Sequence, residues 1–419
     1  MRDVDVSAAS TRELQELALR QIRTWTDAAR ELIPTGCDTV DAHCHLGVDS
    51  DGSSITVEEL IEQLDRTGMA HGVVMALHHH EGYEEENPAV RAAAAASNGR
   101  LVALHRCDPQ LDDPAADARA GLEAGAVGLK WHPRAEAFGM HDEVARATAA
   151  VAHELSAPIL IHAGRGMERL GEQVVELARE FPHATFVLAH AAVSDLSWIV
   201  DATRDVPNIV FDTSWWRPTD IAALLTDVEP SRVLYASDPP YGTAELGLQV
   251  AARIGRACGW DDDAMRALMG GNARRIFSVG EQEQPPADTL AYDHHMPVED
   301  VAFRRAAEYL ASAIQVEVAE GDAIEAFDLA CSALDVHTTH PLAHTARLLQ
   351  ACIRVGVEIL GRAAADSATT TEASALRFTS RASHRGFMLL VCTLVHLATP
   401  GLPVRGVDRV SWHDPAPFV

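Results

Sequence analysis

The sequence predicts an α/β protein, a (β/α)₈ TIM barrel with an additional C-terminal all-α domain, on three observations. Eight short apolar runs, each followed by a segment of helical period, fill Thr39 to Phe277. Such alternation marks a parallel sheet covered by helices, and eight βα units close a barrel. After Phe277 the alternation stops and only helical patterns follow. The length, 419 residues, suits a barrel of about 250 residues plus an appendage.

In chain order, residues 1–38 hold a helix whose apolar positions Leu14, Leu17, Ile22 and Trp25 form a stripe for packing on the barrel, ended by Pro34-Thr35-Gly36. Residues 39–280 carry the runs Thr39–Leu46, Gly72–Leu77, Leu101–Arg106, Ala126–His132, Pro158–Ala163, Thr185–His190, Ile209–Thr213 and Val233–Ser237. Between them, Thr56 with Glu59 forms a capping box and Gly68 ends that helix. Asn87-Pro88, Asp113-Pro114 and Asp142 start further helices, and the alanine run Ala92–Ala96 is an outer helix stopped by Asn98-Gly99. A polar stretch with two prolines makes 281–295 a linker. Residues 296–419 then read as four helices near Val298–Glu320, Asp322–Leu334, Leu342–Ala365 and Ala375–Leu397. Their apolar faces fit a small bundle or a homo-oligomer contact.

A 47% hydrophobic and 23% charged composition describes a globular chain with a sizeable core. Its net charge of −27 argues against nucleic acid and anionic membranes as partners, leaving a small molecule. The start lacks a basic-then-apolar leader and no run spans a bilayer, so a cytoplasmic location is expected. Seven cysteines without a Cys-x-x-Cys pair fit a reducing compartment.

The chemistry gathers at the carboxyl ends of the strands, where barrel active sites are built. His43 and His45 lie two apart on the first strand, so both imidazoles face the interior and Cys44 faces the helices. His162 ends the fifth run, His190 ends the sixth and Asp238 follows the eighth, while Lys130 and His132 share one face of the fourth. Imidazoles with a carboxylate suit a borderline divalent cation: zinc above all, with manganese or iron as alternatives. Trp131, Trp215 and Arg165 fall near the same strand ends as candidate substrate-binding residues, with His132 orienting substrate or bracing the site. The loop histidines His78-His79-His80 are expected to be solvent-exposed.

Asp41-Ala42-His43-Cys44-His45-Leu46, Leu160-Ile161-His162-Ala163-Gly164, Val187-Leu188-Ala189-His190, Ser237-Asp238-Pro239-Pro240 and Gly271-Asn272-Ala273 together resemble the amidohydrolase superfamily. The nearest branch is the amidohydrolase-related one that includes aminocarboxymuconate semialdehyde decarboxylase and resorcylate decarboxylases. The resemblance implies that His43, His45, His162 and Asp238 hold a metal, that Asp238 doubles as proton acceptor, and that His190 binds a second metal or acts on substrate. Gly128-Leu129-Lys130-Trp131 resembles the strand whose lysine, carboxylated, bridges two ions in two-metal members. An unmodified Lys130 would instead bind a substrate anion or pair with Asp238, so one ion and two both fit. The implied activity is hydrolysis of a C–N or C–O bond in an amide, lactam, lactone or ester by metal-activated water. Non-oxidative decarboxylation of an unsaturated or aromatic acid is the alternative chemistry, with Arg165 gripping the carboxylate; hydration is a third. A non-catalytic scaffold is the alternative of a different class.

Overall fold

Short runs of Val, Ile, Leu and Ala alternate their side chains between two faces, so both faces must be buried: one under helices, the other inside the barrel. A computed structural model describes residues 6, 8–164, 169–280, 300–318, 323–367 and 381–402. Eight parallel strands form its inner ring: β1 (Val40–Val48), β2 (His71–Ala76), β3 in two pieces (Leu101–Ala103 and His105–Arg106), β4 (Leu129–Trp131), β5 (Pro158–Ile161), β6 (Thr185–Leu188), β7 (Ile209–Asp212) and β8 (Val233–Leu234). Each pairs with its sequence neighbour. The break in β3 is spanned by Leu104 N–H donating to Val74 O at 2.8 Å. The ring closes between the β8 end and β1 through Ala42 N–H to Tyr235 O at 3.0 Å and Asp238 N–H to His43 O at 2.8 Å.

Local signals act as the sequence indicates. Thr56 and Glu59 cap Val57–Thr67 reciprocally, and Gly68 ends it at φ 75°. Asp113 accepts from Ala116 N at the start of Pro114–Glu123. The helix expected to open at Asn87-Pro88 starts at Glu86.

Two buried clusters arise from the alternation. Val73, Met75, Leu104, Leu160, Val187, Val210 and Leu234 fill the inside of the ring, whereas Val74, Ile159, Ile161, Phe186 and Phe211 lie under the helices. In β1 the alternation slips. Val40 and Ala42 belong to the inner cluster and Cys44 to the outer one, and the pairing register with β2 shifts between Asp41 and Cys44. Such a bulge inserts one residue and re-aims the side chains beyond it. It turns His43 and His45 inward.

Six further helices gather beside the ring: α1 (Thr11–Arg30), α2 (Ala244–Ala257), α3 (Val301–Val318), α4 (Ile324–Ala333), α5 (Ala343–Ser367) and α6 (Arg381–Ala398). α6 packs against α1, α2, α3 and α5. One continuous apolar cluster runs from the outer face of the ring through Leu14 and Trp25 to Leu390 and Leu397. The seam where α1, α2 and α6 meet is partly polar. Trp25 stacks on His396 at 4.1 Å, Gln249 Nε2 donates to Thr26 Oγ1 at 3.3 Å, and Arg253 Nε donates to Thr399 Oγ1 at 2.9 Å. The linker expected at 281–295 lies outside the described residues. Among the described residues no helix is long and apolar enough to cross a membrane.

Candidate metal centre

The inward rows become polar at the strand ends. Leu160 is followed two residues on by His162, Val210 by Asp212, and Leu234 by Ala236 and Asp238, while Lys130 is the inward residue of β4. His43, His45 and Asp238 offer ligand atoms that all lie within 4.8 Å of one another, and all three residues are buried.

Hydrogen bonding fixes what those atoms can do. His43 Nδ1–H donates to Asp212 Oδ2 at 2.9 Å, and His45 Nδ1–H donates to Ala76 O at 3.3 Å. A carboxylate and a carbonyl only accept, so both neutral rings present bare Nε2 lone pairs inward. These two nitrogens are 3.3 Å apart and lie 3.3 and 3.2 Å from Asp238 Oδ1. Asp238 Oδ1 is buried without a hydrogen-bond donor among the described residues. Burial raises the Asp238 carboxyl, while His43, His45 and His190 pull it down wherever they carry a proton on the facing nitrogen. The three acceptors have no hydrogen to share among themselves, so the arrangement is disfavoured unless cationic groups, the Lys130 ammonium at His43 and an ion at the remaining lone pairs, serve them. Two imidazoles and a carboxylate fit a borderline divalent ion such as zinc.

Lys130 Nζ lies 3.2 Å from His43 Nε2, so its ammonium serves one of the three acceptors. Burial pushes that amine down to about 7. His190 stands to one side: its Nδ1–H donates to Ser214 O at 2.8 Å, its Nε2 meets His162 Nδ1 at 3.0 Å, and Asp238 Oδ2 is 3.9 Å away. Burial holds His43 and His132 well below the usual histidine value and lowers His45 and His162 as well.

The sequence model of the amidohydrolase family matches residues 40–279, the stretch that forms the ring and carries these side chains. The chain belongs to the amidohydrolase family. Among curated proteins none matches it. Solved structures similar to this chain include 5-carboxyvanillate decarboxylase from Sphingomonas paucimobilis, at 15% identity over 58% of this chain and 100% of that one, TM-score 0.47. A 2,6-dihydroxybenzoate decarboxylase from Rhizobium is similar at 13% identity over 57% and 98%, TM-score 0.46. A zinc-bound amidohydrolase from Burkholderia multivorans is similar at 14% identity over 58% and 99%, TM-score 0.46.

In this family member the residues singled out from sequence fall in different places. His43, His45 and Asp238 come together directly, with Lys130 against them. His162 stands outside that group and reaches it through His190; its Nε2 is buried without a partner among the described residues, and His132 stacks on its ring at 3.9 Å. Trp131 is a correction to the substrate-binding expectation. It is 0% exposed, wedged between Phe138 and Phe186 on the face of β4 away from Lys130, and has no surface to offer a ligand. Trp215 is half-buried, its Nε1 donating to Asp220 Oδ2 at 2.7 Å. Arg165 lies outside the described residues. His78 is half-buried, not solvated as expected, because its Nδ1 is hydrogen-bonded to Tyr83 at 3.0 Å.

Sequence reasoning missed Asp212, though its place two residues after Val210 is a usable signal. It also missed a brace at the mouth. Arg106, 1% exposed, donates from its NH2 group to Glu136 Oε1 at 2.7 Å, Tyr83 donates to the same oxygen at 2.7 Å, and His132 N–H donates to Glu136 Oε2 at 2.8 Å. Arg106 also donates to Ala76 O at 2.9 Å, the carbonyl that sets the His45 tautomer. These partners are far apart in sequence, and no motif announces them.

Proposed function

We propose that this amidohydrolase-family protein is a metal-dependent hydrolase of a C–N or C–O bond in a small molecule, an amide, lactam, lactone or ester. The observation that carries the reading is the convergence of His43 Nε2, His45 Nε2 and Asp238 Oδ1 with no donor for Asp238. His43, His45 and Asp238 would hold one ion, zinc in the first place and manganese or iron otherwise. Lys130 and the His162–His190 pair stand near enough to serve a second. When bound, a divalent cation supplies Lewis acidity and lowers the pKa of water to about 7.

The chain's own groups do the proton work. Asp238 is ionised at neutral pH, and with Oδ1 directed to the ion its second oxygen, Oδ2, is the one that would take a proton and return it to the leaving group. His190, 3.9 Å from Asp238 Oδ2 and bonded to His162, is placed to exchange a proton with substrate or to steady its oxygen. A second reading, decarboxylation of an aromatic or unsaturated acid, is favoured by the loop after β7. There Arg217 lies over the Trp216 ring at 5.7 Å beside Trp215, a cationic and aromatic surface suited to a flat anion.

Metal content tests the common premise. Elemental mass spectrometry of purified protein should give one or two equivalents, lost in the His43→Ala, His45→Ala double variant. Lactones, esters and amides set against aromatic acids then separate the two chemistries. If tightly bound metal is absent and added zinc or manganese gives no thermal stabilisation, both readings fail.

A further inference from the structure

Asp212 is 0% exposed, and among the described residues no lysine or arginine pairs with it. Its two oxygens are nonetheless fully used. Oδ2 accepts from His43 Nδ1–H at 2.9 Å; Oδ1 accepts from His190 N–H at 2.8 Å, Ser214 N–H at 2.9 Å and the Ser214 hydroxyl at 2.5 Å. We propose that Asp212 is a positioning residue that sets both sides of the candidate centre at once, the donor nitrogen of His43 and the ring of His190. This rests on the metal-dependent reading above.

On the first side, a carboxylate facing Nδ1–H fixes one tautomer, so Nε2 keeps its lone pair and becomes more basic. On the second side, the backbone is unusual. His190, Ala191 and Ala192 have φ of 57°, 56° and 49°, three successive non-glycine residues in the left-handed region. Such a run persists only where the surroundings over-determine it. Asp212 Oδ1 holds the first N–H of that run and, through both Ser214 contacts, positions the Ser214 carbonyl that takes His190 Nδ1–H at 2.8 Å. With its proton on Nδ1, His190 uses bare Nε2 to accept from His162 Nδ1–H at 3.0 Å, which leaves the His162 Nε2 lone pair bare. A single carboxylate therefore dictates which nitrogen keeps its lone pair on His43, His190 and His162. A carboxylate needed only to tie down a loop would have no cause to spend one oxygen on His43.

The test has two readouts. Nitrogen-15 spectra of the metal-stripped protein should show His43 and His190 protonated at Nδ1, and His43 should leave that state in Asp212→Asn, whose amide N–H₂ can face the ring. Zinc affinity by chelator competition should fall roughly 10- to 100-fold in Asp212→Asn, while the thermal midpoint of the metal-stripped variant stays close to that of the parent. Either ring found protonated at Nε2 in the parent protein overturns the proposal, and that measurement needs no variant to fold. Unchanged zinc affinity in a folded Asp212→Asn also overturns it. If the parent binds no zinc, the metal-dependent reading falls while the tautomer spectra still decide the role of Asp212.

Discussion

The barrel mouth and the seam between α1, α2 and α6 both bury polar side chains, but they leave different atoms unpartnered. Within the group of His43, His45, Asp238, His162 and His190 the orphans are Asp238 Oδ1 and His162 Nε2, acceptors beside the lone-pair nitrogens of His43 and His45, whereas the orphaned donors Trp131 Nε1 and Arg217 Nε belong to side chains outside that group. In the seam they are both atoms of the Gln21 amide, Trp25 Nε1, Gln249 Oε1 and His396 Nε2, a mixture of donors and acceptors. Water, which donates and accepts, satisfies a mixed set; a cluster of acceptors alone calls for a cation. The sign pattern of unsatisfied atoms, more than their number, separates a ligand site from an imperfectly packed interface.

Replacing one acceptor at the mouth probes this contrast most severely. In Asp238→Asn an N–H₂ group replaces an oxygen and proton transfer is removed, so turnover should drop by about 10²- to 10⁴-fold with the fold retained. Thermal melting beside the rate assay checks it. A fall in melting temperature that accounts for the whole loss of activity would make the mouth pattern structural and break the comparison.

Acid comes next, because both regions hold histidines neutral. Burial lowers His43, His45, His132 and His162 at the mouth and His396 in the seam. Below about pH 6.5 the unfolded chain therefore binds protons that the folded chain refuses, and stability falls as pH falls, by up to about 1.4 kcal/mol per pH unit for each such ring. Urea midpoints of metal-stripped protein between pH 7.5 and 5.5 should track that slope, and His396→Leu should flatten it by the share of a single ring. Midpoints independent of pH would mean that the imidazoles charge freely in the folded state.

The smallest effect belongs to the seam. Gln249→Leu forfeits the 3.3 Å bond to Thr26 but also removes an unpartnered oxygen, so stability should change by no more than about 1 kcal/mol in either direction, with metal content untouched. A loss above about 3 kcal/mol in denaturant titration would show the seam to be as tightly specified as the mouth.

Much of the fold was legible because the strands and helices carry their own periods. The same alternation that put Leu160 inside announced His162, and Leu234 with Ala236 announced Asp238. Applied to the end, it also gives Asp212 after Val210, and it turns Trp131 outward beside inward Lys130. Candidate substrate residues chosen for their chemistry and not their parity go astray there. The bulge in β1 left no mark on the sequence, since Ala42 and His43 both fit an unbroken strand. Nor did the Arg106–Glu136 pair or the meeting of α1 with α6, because each depends on segments that only the finished ring brings together.

That last meeting constrains how the chain is made. Arg362 on α5 donates to Ala9 O, 353 residues earlier, and Trp25 must find His396. At translation rates of about 5–20 residues per second, the apolar stripe of α1 emerges tens of seconds before α6 exists to cover it. Helix α1, made long before α6, is thus among the last to be fully enclosed, and ribosome-bound chains that end before α6 should remain open to protease at Leu14–Trp25.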